Sequence, residues 1–203
     1  MKRVLAFDMG ATSIRGIIGY VKDGKLVTEE VMRMAHSIKN KNGRLYWDFD
    51  AILEKIVSTI IENKDVSCIG IDTWGVDFGV IDKDGKLIDT PFSYRDEKYA
   101  IGREEAKAKI SELEIFINTI FQLLTLKKLN PDIYEKADKM LMMPDLIFYM
   151  LTGKKIGEET IWSTTGLYDM GQRKVSDTIF EKLELKKNLE ETDFEKIINI
   201  LEN

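Results

Sequence analysis

The sequence predicts an α/β fold built on a mixed sheet, its first three strands antiparallel, with a mainly helical insertion behind it. Three observations carry this. Short apolar runs of strand length fill the first 35 residues with no helical pattern between them. A one-sided apolar stripe at helical spacing follows, and then a further buried run, "VSCIGID". From about residue 97 to 153 the periodicity is helical.

"RVLAFDMG" reads as the first strand, and "SIRGIIGYVKDGKLVTEEVMRM" as two more joined at Asp23-Gly24, a pair suited to the positive φ values of a hairpin turn. "KNKNGRLY" reads as a loop. Ile52, Leu53, Ile56, Val57, Ile60 and Ile61 then form the stripe of a helix, with Asp48 or Asp50 as the N-cap whose carboxylate accepts from first-turn N–H groups. A helical crossover makes "VSCIGID" parallel to the first strand. "VDFGVIDKDGKLIDT" reads as a second hairpin, turning at Asp84-Gly85. In "MPDLIFYMLTG", Pro144 sits in a first turn and Gly153 where a helix-ending glycine belongs. Thr192 and Glu195 have capping-box spacing before a last helix. The expected organisation is one lobe over 1–203: a mixed-sheet core over 1–96, the helical insertion over 97–153, and a return segment with terminal helix over 154–203.

Bulk properties narrow the function. The 203 residues carry a net charge of −5, which gives no electrostatic footprint for nucleic acid or an anionic membrane. No apolar run reaches the roughly 20 residues of a membrane span. Asp8 interrupts the first apolar run, which is too short for a signal peptide, and Cys68 is the sole cysteine; a cytoplasmic protein is expected. One Cys and one His exclude a zinc site of the usual kind.

Two stretches carry chemistry. "AFDMGATSIRG" sets Asp8, Gly10, Thr12 and Ser13 around a turn at a strand end, with Arg15 beyond. Backbone N–H groups and hydroxyls suit phosphate, a carboxylate suits a magnesium ion or its waters, glycine allows close approach, and Arg15 offers a charged fork. The same residue types are those of a plain β-turn, and on residues alone both readings stand. "GIDTWGVDFGVID" places Asp72, Trp74, Gly75 and Asp77 past a buried strand, where open α/β sheets bind ligands. Trp74 offers an apolar face to a sugar ring and the carboxylates accept from its hydroxyls. Equally, Trp74 reads as core and both aspartates as turn caps.

These two stretches, with "NGRLYWDFD", "YRD", "NTIFQL", "MMPDLIFYMLTG" and "STTGLYDM" in this order, resemble the FGGY family of carbohydrate kinases, most closely its rhamnulokinase branch. The resemblance covers nearly the whole chain, and "DTWGVDF" followed by "YRD" is its most specific part. It implies a ribonuclease-H-like, actin-like ATPase lobe and transfer of the ATP γ-phosphoryl group, with Mg2+, to the hydroxyl of a ketose such as L-rhamnulose. By motif, Asp8 is similar to the residue facing metal and phosphate, and Gly10, Ala11, Thr12, Ser13 and Arg15 to the first phosphate loop. Gly75 resembles the sugar-contacting glycine, with Trp74 and Asp77 lining the same wall; Asp72 is assigned to the sugar from its place in the stretch alone.

The family's catalytic base is an Asp in a His-Asp-Thr type motif, expected C-terminal to this chain, as is the adenosine-binding lobe. The only histidine, His36, lies in "MAHSIKN" and reads as a surface residue. The segment between "YRD" and "NTIFQL" is shorter than in rhamnulokinases; its "REEAKAKISELE" charges read as a solvated helix face. The expected chain is thus an N-terminal kinase lobe, inactive alone, whose partners are a sugar and a C-terminal lobe and whose uncovered lobe interface favours self-association. The alternatives are a non-catalytic binding module derived from such a lobe, or another FGGY kinase such as a xylulokinase or fuculokinase.

Overall fold

A computed structural model describes residues 2–110 and 118–190. The chain divides into two compact units, Met1–Lys39 with Trp47–Trp74, and Asn40–Tyr46 with Gly75–Asn203.

The first unit is a four-stranded sheet carrying a helix. Its strands are β1 (Arg3–Met9), β2 (Ser13–Lys22) and β3 (Lys25–Ala35); the chain then forms a hairpin of β4 (Ile38–Lys41) and β5 (Arg44–Trp47), most of which belongs to the second unit, before helix α1 (Phe49–Glu62) and strand β6 (Cys68–Thr73) of the first. The sheet order is β3-β2-β1-β6. The first three strands are antiparallel, while β6 returns through α1 to lie parallel to β1, as the crossover requires. Asp23 and Gly24 both adopt positive φ, the turn expected between β2 and β3.

Alternation along β1 decides which face is covered. Leu5, Phe7 and Met9 are buried, and Ile14 and Ile18 continue that face on β2. Gly16 sits among them because a Cβ there would stand 3.1 Å from Met32 Cβ and 3.5 Å from Phe7 Cε1 and Thr59 Cγ2. Helix α1 therefore docks closely on this face, burying Phe49, Ile52, Ile56 and Thr59. Of the expected stripe, Val57 and Ile61 are exposed, so the buried seam is narrower than the apolar one. Asp48 holds the N-cap position, yet its side chain makes no capping bond; it pairs with Lys39 at 2.6 Å.

Two local expectations change. "KNKNGRLY" is a hairpin, with Asn42 and Gly43 at positive φ. Asp84-Gly85 does turn the chain, Gly85 having φ +80°, but the far leg makes only a bridge from Leu87 to Ile81. Strand β7 (Phe78–Ile81) instead pairs in full with β8 (Lys139–Met142), which lies inside the segment read as helical.

In the second unit β7 and β8 are joined by α2 (Tyr99–Lys109), α3 (Thr119–Leu129) and α4 (Pro131–Lys136), and α5 (Met143–Thr152) follows β8 directly. Helices α2 and α3 cross so closely at Gly102 that a Cβ there would lie 2.0 Å from Phe121 O. Helix α5 has Pro144 in its first turn and ends at left-handed Gly153, as its sequence signals. A short helix α6 (Glu159–Trp162), a two-stranded ribbon of β9 (Tyr168–Asp169) and β10 (Lys174–Val175), and α7 (Asp177–Lys182) complete the unit. Its core includes Phe121, Leu124, Tyr134, Trp162 and Phe180. The helix expected after Thr192 lies outside the described residues.

Asp145, in the first turn of α5, is buried and accepts from Glu158 N (3.1 Å) and Trp162 Nε1 (3.2 Å). Burial outweighs those two donors and raises its pKa from 3.8 to about 7. The unfolded chain thus loses this proton at lower pH than the folded one, and folding is favoured below the unfolded pKa and progressively less as pH rises toward 7. Urea unfolding across that window will show the protein losing up to about 4 kcal/mol from this group. Asp145→Asn, which cannot ionise, will flatten that part of the profile.

Candidate functional site

In the first unit, β1 and β2 meet in a tight turn over residues 10–12, closed by Gly10 N donating to Ser13 O at 3.0 Å. Gly10 is not required by the protein's own packing. An added Cβ would stand 3.4 Å from Ser13 O, an ordinary contact, and no positive φ is involved. Thr12 O accepts from His36 N at 3.0 Å, and Gly10 O from His36 Nε2 at 2.5 Å. His36 is therefore half-buried against this turn and is no plain surface residue.

Asp8 lies on the face of β1 opposite Leu5, Phe7 and Met9. Its register partners are Arg15 on β2 and Asp72 on β6, and aligned residues of neighbouring strands share a face. Arg15 forms an ion pair with Asp8, both side chains remaining about two-fifths exposed (43% and 40%), so the pair adds little stability. Asp72 is exposed. The structure thus brings Asp72, read from sequence against the sugar, into line with Asp8 at the carboxyl ends of two parallel strands. Among the described residues no three His, Cys, Asp or Glu side chains cluster as a closed metal cage. Two neighbouring carboxylates beside a hydroxyl-bearing turn do fit Mg2+, which keeps several waters and takes one or two carboxylates together with substrate phosphates.

Trp74 is covered rather than displayed, 9% exposed. Its ring lies 4.3 Å from that of Trp47 and 4.7 Å, edge-on, from that of His36.

The second unit carries Gly75 and Asp77. A Cβ on Gly75 would come 3.2 Å from Thr164 Oγ1, in the "STT" segment. Asp77 N donates to Gly75 O at 3.0 Å, making Val76 the centre of a γ-turn, and Val76 has φ +68°. This left-handed form is rare and strained, the more so for a β-branched residue. Two hydroxyls hold it: Thr164 Oγ1 accepts from Val76 N at 3.2 Å, and Thr119 Oγ1 donates to Val76 O at 2.7 Å. Asp77 is fully buried, accepting from Gln122 Nε2 at 2.8 Å and Tyr94 N at 3.1 Å. Its carboxylate braces the turn from behind.

The Asp of "YRD" has a similar office. Asp96 accepts from Arg44 Nε at 2.5 Å, Leu45 N at 3.2 Å and Lys98 N at 2.9 Å. Arg44 further donates to Asn130 Oδ1 at 2.7 Å and lies 4.1 Å over the Phe92 ring. Between this scaffold and α3 is a cavity of about 210 Å³ lined by Tyr94, Arg95, Arg103, Asn118 and Gln122 among others. Asn118 Nδ2 and Arg103 Nε are buried there without a hydrogen-bond partner among the described residues, so the cavity offers donors to a polar guest.

Comparison with known proteins agrees with this frame. Residues 3–198 match the N-terminal domain of the FGGY family of carbohydrate kinases. Rhamnulokinase from Bacteroides thetaiotaomicron is 36% identical over 196 residues, covering 90% of this chain and 40% of that protein. Rhamnulokinase from Oceanobacillus iheyensis is also 36% identical, over 91% of this chain and 42% of that protein. The chain therefore spans about two-fifths of the length of these relatives. Among solved structures, a ligand-bound xylulose kinase and a gluconate kinase, both from Lactobacillus acidophilus, superpose with TM-scores of 0.78 at 19% identity, over 96% and 95% of this chain and 42% and 41% of theirs. They share the fold, and the mixed sheet agrees with the actin-like ATPase lobe expected from sequence. Among the described residues no helix is long and apolar enough to cross a membrane.

The γ-turn gives a direct test. Thr119→Val preserves shape but leaves Val76 O without its donor, and will destabilise the chain by about 1–3 kcal/mol in urea unfolding.

Proposed function

We propose, because this chain belongs to the FGGY family of carbohydrate kinases, that it is the N-terminal lobe of an ATP-dependent kinase for a ketose such as L-rhamnulose. One observation carries the reading: Asp8 and Asp72 stand side by side in register at the carboxyl ends of β1 and β6, next to a turn bearing Thr12 and Ser13. A plain turn needs neither the second carboxylate nor Gly10, whose missing side chain the protein's own packing does not demand.

Asp8, with Asp72 beside it, would hold Mg2+ through its waters. Bound there, the cation neutralises charge on the phosphate oxygens. Ala11, Thr12, Ser13 and Arg15 would line the phosphate end, the Thr12 and Ser13 hydroxyls donating to phosphate oxygens. Gly75, whose missing side chain gives its space to Thr164, would offer its backbone to the sugar, Asp77 holds that turn in shape, and the cavity at Tyr94, Arg95 and Asn118 would supply donors for sugar hydroxyls. The general base and the adenosine pocket come from a second lobe, so the chain alone turns over no sugar. A lone cysteine and the proposed use of ATP support a cytoplasmic location.

A coupled assay for ADP release over a panel of ketoses tests this. The isolated 203-residue chain will be inactive, and the full-length protein will prefer L-rhamnulose. In the full-length protein Asp8→Asn will lower kcat by roughly 100-fold or more, and Gly10→Ala will raise the KM for ATP while leaving stability within about 1 kcal/mol. Wild-type kinetics in both variants would mean the hairpin is only a turn.

A further inference from the structure

We propose that His36 is a positioning residue that sets the phosphate loop, by fixing the peptide between Gly10 and Ala11; this rests on the reading of the hairpin as that loop. A carbonyl oxygen can only accept, so the 2.5 Å contact from His36 Nε2 to Gly10 O requires a proton on Nε2. A trans peptide directs its C=O and its N–H to opposite sides. Drawing Gly10 O toward His36 therefore turns the Ala11 N–H away from the imidazole. The backbone of the same residue holds the next carbonyl but one, His36 N donating to Thr12 O at 3.0 Å. Two of the loop's carbonyls are thus pinned from one side by one residue.

The ring that does this is itself held. Its centroid lies 4.8 Å from Trp47, tilted by 54°, and 4.7 Å from Trp74 in an edge-on arrangement, distances and angles favourable for aromatic pairs. Trp74 directly precedes Gly75 in "DTWGVDF". His36 accordingly ties the strand end that leads to the sugar wall to the turn that would take phosphate, and it couples them through a ring that cannot shift without disturbing both tryptophans.

Two substitutions separate this role from simple packing. His36→Phe keeps an aromatic ring between Trp47 and Trp74 but loses the donor to Gly10 O. His36→Gln keeps a donor at the place of Nε2 but loses the ring. The 203-residue chain is titrated with magnesium tripolyphosphate, read by the backbone amide resonances of Ala11, Thr12 and Ser13, with thermal unfolding of each variant alongside. Positioning predicts His36→Phe weakened about tenfold, the worth of one hydrogen bond, and His36→Gln within about threefold of wild type. Packing predicts the opposite order, with His36→Gln the worse in both binding and stability. That order, or equal binding by His36→Phe and wild type, overturns the inference and leaves the loop reading intact. A wild type whose loop amides do not respond overturns the loop reading, and this inference with it.

Discussion

Everything at the amino end depends on how β1 is paired. It is antiparallel to β2 on one edge and parallel to β6 on the other, in a single register that sets Asp8 between Arg15 and Asp72. Leu5, Phe7 and Met9 lock that register by filling the face under α1. A slip of one residue would exchange the faces, sending Asp8 into the apolar layer and its neighbours into water. The hydrophobic alternation that stabilises the sheet is therefore what aims the carboxylate.

Buried and open carboxylates divide the work. Asp77, Asp96 and Asp145 are each nearly inaccessible, and each accepts from N–H donors of its surroundings. Their free energy goes into holding segments that have no regular structure: the γ-turn at Val76, the approach to α2, and the link between α5 and α6. Of the three only Asp96 is paired with a charge, Arg44, and removing one partner of that buried pair costs several kcal/mol because the other is stranded. Asp8 and Asp72 contribute little to that scaffold and face outward, the condition for meeting a cation or a phosphate.

The legible parts of the fold were those where one local rule decides. Asp23-Gly24 announced a hairpin, Pro144 and Gly153 bracketed a helix, and the crossover dictated a parallel β6. Asn42-Gly43 carried an equally clear turn signal inside a stretch read as loop. What the sequence withheld came from long-range pairing. No local pattern marks "KMLM" as the partner of "FGVI", since four apolar residues suit a helix as well as a strand. The candidate site residues stood out as types at spacings. Their division was not: one-dimensional reading treats Asp72 and Asp77 alike, whereas one is exposed beside Asp8 and the other is fully buried against Gln122. His36 had no signal at all, because its partners Gly10, Trp47 and Trp74 are distant in the chain.

The parallel pairing of β1 with β6 also orders events in time. Strands β1 to β3 are joined by tight turns and can assemble as soon as they are synthesised, whereas β6 must await completion of α1. Contacts so separated in sequence close slowly. Until they do, one edge of β1 remains unpaired, the kind of edge through which nascent chains aggregate. Asp8 sits on that strand next to the apolar run "RVLAF", where a charge discourages stacking against another copy. The charge that stands beside Asp72 in the finished sheet thus interrupts an apolar strand while that neighbour is still missing.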